Sequence, residues 1–166
     1  FSDDEILKNA YDTNFKMSPP LREISDVKAV REALKSGLID VIATDHAPHH
    51  TDEKIVEFDK APFGIIGLQT LVPLTLKLVN EGVISLERMV ELTSTNAAKM
   101  LKLKDKGRLA EGMLADITVI DPEIEYVYDE KINRSKSVNS PLFGKKLKGA
   151  ATTTIKSGKI VYEFGK

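Results

Sequence analysis

The 166-residue chain contains no cysteine. That removes any disulfide framework and any thiolate metal site, and it fits a reducing, cytoplasmic setting. Neither sign of charge is in excess: 24 Lys and Arg stand against 25 Asp and Glu, for a formal net charge of −1. Without a basic surplus to neutralise phosphates, nucleic-acid binding is disfavoured. No apolar run approaches the roughly 18 residues of a membrane span, and no signal-peptide pattern opens the chain. Glycine and proline are few, at ten and seven, against 42% hydrophobic and 30% charged residues. This is a globular composition, with length enough for one sizeable core. Histidine is scarce too, and all three copies fall within residues 46–50.

The histidines follow directly on Ile39-Asp40-Val41-Ile42-Ala43-Thr44-Asp45. A mostly apolar run of this kind predicts a strand buried on both faces, as in a parallel sheet covered by helices. Functional groups of α/β folds gather at the C-terminal ends of such strands, so Asp45 stands where an α/β enzyme places a catalytic group. Ahead of it the sequence predicts a short acidic helix over residues 3–10 and an extended piece over 14–17. A helix then starts at Asp26, with Val27, Val30 and Leu34 on one face, Ser25 or Asp26 as N-cap and Gly37 as the stop. Behind Asp45 comes a long loop over 46–64, with a charged, solvated middle at 52–60 and the close Ala61-Pro62-Phe63-Gly64.

Helical spacing then runs from Ile65 to Asn80, and Pro73 predicts either a kink or a later start. Gly82 ends this helix, Ser85 opens the next, and Ser94 and Thr95 are cap candidates for another. At Lys106-Gly107 the period changes. A strand is predicted over 116–122 and a hairpin over 153–162 turning at Ser157-Gly158, with irregular chain between and weak strand potential at 125–128. The chain therefore divides near residue 106, into an α/β part and a small all-β part.

Asp45 taken alone reads equally as a turn or cap residue. Two imidazoles beside it, His46 and His49, can supply metal ligands, proton transfer or an anion-binding donor. They do not complete a zinc site, because catalytic zinc takes three protein ligands and close neighbours on one loop rarely converge on one ion. His50, beside an acidic loop, reads as a solvated surface residue. Ser18 lacks a nucleophile elbow and a partner at a recognisable spacing. Phe63-Gly64 reads either as a helix entry with Phe63 packed in the core, or as a backbone N–H left accessible by glycine to a ligand oxygen.

Three segments resemble bacterial-type dihydroorotase, of the amidohydrolase superfamily, in order and spacing. They are Lys16-Met17-Ser18-Pro19-Pro20-Leu21-Arg22, Ala43-Thr44-Asp45-His46-Ala47-Pro48-His49, and Ala61-Pro62-Phe63-Gly64-Ile65-Ile66-Gly67-Leu68. The stretches 107–116 and 158–162 resemble the superfamily's terminal β-domain, so the resemblance covers nearly the whole chain. It implies a (β/α)8 TIM barrel of the amidohydrolase type plus a β-sandwich. Such a barrel needs roughly 250 residues, so the chain resembles only the C-terminal portion, and Phe1 in place of a starting Met agrees. On this expectation residues 1–105 are the C-terminal part of the barrel and 106–166 the C-terminal part of the sandwich.

The resemblance also implies zinc, one or two ions, with most ligands upstream of residue 1. Asp45 is implied as a metal ligand and as the general base and acid. His49, Phe63 and Gly64 are implied as substrate contacts, and Ser18 as another, at a position where many members carry Asn. His46 and His50 receive no role. The implied reaction is the reversible conversion of N-carbamoyl-L-aspartate and dihydroorotate in pyrimidine synthesis, with the isolated fragment inactive. Implied partners are the small-molecule substrate, the N-terminal remainder, and a homo-oligomer or aspartate transcarbamoylase. Two alternatives stand beside this: a non-catalytic module associating with another pyrimidine enzyme, and a hydantoinase-like cyclic amidohydrolase.

Overall fold

A computed structural model describes all residues, 1–166. Two compact units are distinguishable, one formed by residues 1–32, 44–70 and 127–146, the other by 33–43, 71–126 and 147–166.

In the first unit the acidic start forms helix α1, Asp4–Lys8, N-capped by the Asp3 carboxylate. Of the piece expected to be extended over 14–17, Asn14 and Phe15 lie instead in a 3₁₀ turn at Thr13–Phe15, because the Asp12 carboxylate accepts the Asn14 N–H and starts a turn, while Lys16 is extended. Helix α2 runs Ile24–Lys35, two residues earlier than predicted, and ends as expected before Gly37, whose φ is +81°. Its outer face leaves Val30 exposed. The loop over 46–64 contains one short helix, α3, Thr51–Lys54. Phe15, Ala61, Ile66, Tyr128 and Leu142 are buried in this unit. Tyr128 packs edge-on against Phe143, and its hydroxyl donates to Asn133 Oδ1 at 3.1 Å.

The second unit is built on helix α4, Leu71–Asn80, followed by α5, Leu86–Val90, and α6, Asn96–Met100. Pro73 resolves the alternatives left open above: the helix starts late, which puts Pro73 in the first turn, where no intrahelical donor is lost. Ser85 caps α5 as expected, accepting the Arg88 N–H. The break expected at Ser94 and Thr95 does not occur. A π-turn at Glu91–Thr95 carries the chain straight from α5 into α6, and Thr95 makes no cap bond. Its hydroxyl donates to the Gly107 carbonyl instead. Leu34, Leu76, Ile84, Met89 and Leu92 form the core. Each fully buried side chain of this size contributes about 1.5–3 kcal/mol.

Three strands complete the second unit: β1, Ile117–Val127, β2, Lys146–Lys156, and β3, Lys159–Glu163, in the order β1-β2-β3. β1 runs past the predicted end at Pro122, which an edge strand tolerates, and takes in the weak strand signal. β2 also starts earlier than predicted. The β2–β3 hairpin is antiparallel, with Lys156 opposite Lys159. Its turn residues Ser157 and Gly158 have φ of +50° and +77°, as a type I′ turn requires. Gly149 in β2 leaves room for Leu76, into whose Cδ1 any added Cβ would run.

The apolar run before Asp45 is the main departure from expectation. Residues 38–45 form no strand, and Ala43 and Asp45 are exposed. No neighbouring strand hydrogen-bonds along the run, so single bonds hold its first part. Ile42 N–H donates to Leu92 O at 2.9 Å, Arg88 to Ile39 O at 2.8 Å, and Asn96 Nδ2 to Asp40 O at 3.0 Å.

Candidate active site

All the residues singled out by sequence lie in the first unit. His46 begins the site with an isolated parallel bridge to Ile65, and Ala47 N–H donates to Ile65 O at 2.9 Å. His46 Nδ1 accepts from the backbone N–H of Gly67 at 3.1 Å and of Leu68 at 3.4 Å. Two donors on Nδ1 put the proton of the neutral ring on Nε2. His46 thus acts as a brace between the two ends of the loop.

Asp45, one residue earlier, has an exposed carboxylate with no hydrogen bond or ion pair inside the chain. His49 is held from three sides. Its backbone N–H donates to Asn139 Oδ1 at 3.3 Å, its Nε2 donates to Phe63 O at 2.9 Å, and its Nδ1 lies 3.4 Å from Glu53 Oε2. His50 is exposed as expected and has a local task. Its Nδ1 accepts the Asp52 N–H, while its own N–H donates to Glu53, so it caps α3.

Phe63 and Gly64 lie beside His49, and two of the readings above need correction. Phe63 is 55% exposed and not packed in a core, and Lys16 Nζ lies 4.7 Å from its ring centroid. The Gly64 N–H is not free for a ligand oxygen, because it donates to Lys16 O at 2.9 Å. Glycine is required here for another reason. Its φ is +111°, and a Cβ would sit 2.5 Å from Ala47 Cβ. Ser18 is exposed, in a bend next to the cis Ser18–Pro19 bond.

Three residues that the sequence did not single out hold this arrangement. Lys54, inside the run expected to be solvated, is 7% exposed. Its ammonium donates to Pro62 O at 2.9 Å and Gly64 O at 3.1 Å. Burial, and after it the charge of Lys16, hold its pKa below the ordinary lysine value, with Asp12 opposing. Lys16 is also buried and donates to Asp59 O at 2.8 Å. Asn139, from the stretch expected to be irregular, is 4% exposed. It donates to Ala47 O at 2.9 Å and Gly64 O at 3.3 Å. A buried lysine whose acceptors are all carbonyls looks, in sequence, like any other charged loop residue.

The donor chemistry fits a share of a metal site. Asp45 offers one hard oxygen ligand, exposed and unengaged, of the kind zinc accepts. No group of three or more His, Asp or Glu side chains converges in the chain.

The sequence matches the Amidohydrolase family over residues 14–161. It is 53% identical over 162 residues to a dihydroorotase of Geobacter metallireducens, covering 98% of this chain and 38% of the relative. It is 51% identical over 161 residues to a dihydroorotase of Pelobacter propionicus, covering 97% of this chain and 37% of the relative. Among solved structures, the L-hydantoinase (dihydropyrimidinase) of Arthrobacter aurescens superposes with a TM-score of 0.90 at 32% identity, over 100% of this chain and 38% of its own. The chain spans well under half the length of the curated relatives it matches.

Proposed function

The chain belongs to the amidohydrolase family, and from that premise we propose that it is the C-terminal part of a dihydroorotase. Residues 1–105 are then the last part of a (β/α)8 barrel and residues 106–166 the C-terminal share of a β-sandwich. The whole enzyme interconverts N-carbamoyl-L-aspartate and dihydroorotate. The observation that carries this reading is the pairing of an exposed, unengaged Asp45 carboxylate with the His49–Phe63 contact a few residues on.

In the proposed reaction Asp45 takes a proton from the attacking water and delivers it to the ring nitrogen as the amide C–N bond breaks. His49 contacts the anionic substrate through its imidazole ring, whose orientation the Phe63 carbonyl fixes, and Phe63 covers one side of the ring. Gly64 permits close approach, having no side chain. Ser18 contributes a hydroxyl, one donor where an amide would offer two. Asp45 would also hold the metal through a carboxylate oxygen, with the other ligands supplied by the N-terminal remainder. One or two zinc ions, when bound, supply Lewis-acid polarisation of the carbonyl and make hydroxide available near neutral pH. The isolated fragment, with one ligand, is inactive.

The solved-structure likeness keeps a hydantoinase-like specificity as the second reading. The test is an assay of the full-length protein, loaded with zinc, on dihydroorotate and on a hydantoin side by side. Faster opening of dihydroorotate is expected. Preference for the hydantoin selects the second reading, and inactivity on both refutes the enzyme and leaves a non-catalytic module.

A further inference from the structure

We propose that Asn139 is a positioning residue, a clamp that holds the His49 segment and the Phe63–Gly64 segment in mutual register. The inference rests on the reading above, in which those two segments contact substrate. The Asn139 side chain uses both ends of its amide. Its Oδ1 accepts the His49 backbone N–H at 3.3 Å, and its Nδ2 donates to Ala47 O at 2.9 Å and Gly64 O at 3.3 Å. Its backbone joins in, since Ile66 N–H donates to Asn139 O at 3.1 Å. One residue therefore bonds to both segments on either side of the His49 ring, from 90 positions away along the chain.

What distinguishes Asn139 is that its bonds end on the residues flanking the His49 Nε2–Phe63 O contact, so its loss changes the distance between two substrate-binding groups. At 4% exposure, water cannot readily take over the three side-chain bonds. Lys54 shares the Gly64 carbonyl and keeps the second segment from dissolving altogether when the amide is removed. The clamp acts through geometry and touches no reacting atom. A small displacement of a binding group is enough to lower transition-state affinity substantially.

The test uses the full-length zinc-loaded protein carrying Asn139→Ala, with steady-state kinetics, metal content and amide hydrogen exchange measured together. The clamp predicts a KM for dihydroorotate raised about tenfold at unchanged metal content. It also predicts faster exchange in peptides over 46–50 and 62–67 together, with peptides over 71–80 unchanged. A fall in kcat in proportion to lost folded protein, at constant KM, would show a merely structural residue and overturn the proposal. Faster exchange in one segment only would overturn it as well. If the alanine variant does not fold, Asn139→Asp serves instead. It keeps an acceptor for His49 N–H but turns an oxygen toward the two carbonyls, so KM rises while the His49 amide stays protected. A wild-type protein that leaves dihydroorotate intact refutes the proposed function, and the exchange data then decide the clamp on their own.

Discussion

His49 Nε2 donates to the Phe63 carbonyl at 2.9 Å across a loop of 14 positions, and this bond closes the loop that carries the candidate site. It depends on Gly64, which follows Phe63 with φ of +111° and faces the Ala47 methyl. Gly64→Ala must move one strand of the loop, because the new Cβ would meet Ala47 Cβ at 2.5 Å. The expected result in the full-length protein is a stability loss of about 1–3 kcal/mol, the usual cost of forcing a side chain into such backbone. Dihydroorotate KM should rise with it. Denaturant unfolding and steady-state kinetics check both.

Leu92 is 0% exposed in the core formed with Leu34, Leu76, Ile84 and Met89. Leu92→Ala should lower the unfolding free energy by about 2–5 kcal/mol, as large-to-small core changes do. Chemical denaturation measures this, and a loss well below that range would mean that the core closes around the cavity.

Asp116 accepts from Lys106, from Lys156 at 2.6 Å and from Ser157 N–H at 2.8 Å. The Lys106 bond first, then Lys156 and the Ser157 amide, hold its pKa far below the ordinary carboxylate range. A carboxylate depressed on folding stabilises fully above its unfolded value, about 3.9, and that contribution declines progressively below it, to be lost as pH falls through the depressed folded value. Thermal unfolding of wild type and Asp116→Asn should therefore differ by a constant amount at neutral pH, and the gap should narrow once pH drops below about 4. A gap that does not shrink at all as pH falls below about 4 would contradict the assignment.

Local chemistry made much of the fold legible. Ser157-Gly158 names its own turn, Gly37 stops its helix, and Ser85 caps the next, because each needs only its neighbours. The run 39–45 misled, since an apolar stretch becomes a strand only beside another strand, and here its bonds go to Arg88, Leu92 and Asn96. Asp45, His49, Phe63 and Gly64 are singled out by their two motif segments, 43–49 and 61–68, which resemble a known family. Lys54 and Asn139 are not. A lysine reads as solvated until its carbonyl acceptors are known, and the partners of Asn139 lie about half the chain away.

In the proposed function Asp45 carries the proton in opening a cyclic amide. The most direct test is the rate of dihydroorotate hydrolysis by the full-length zinc-loaded protein with Asp45→Ala, compared with wild type at equal folded concentration. The variant should keep an intact fold by circular dichroism, since the carboxylate makes no bond within the chain. Its turnover should fall by at least about 10²–10⁴-fold, the range a general acid–base supplies. Turnover within a few-fold of wild type would contradict this role.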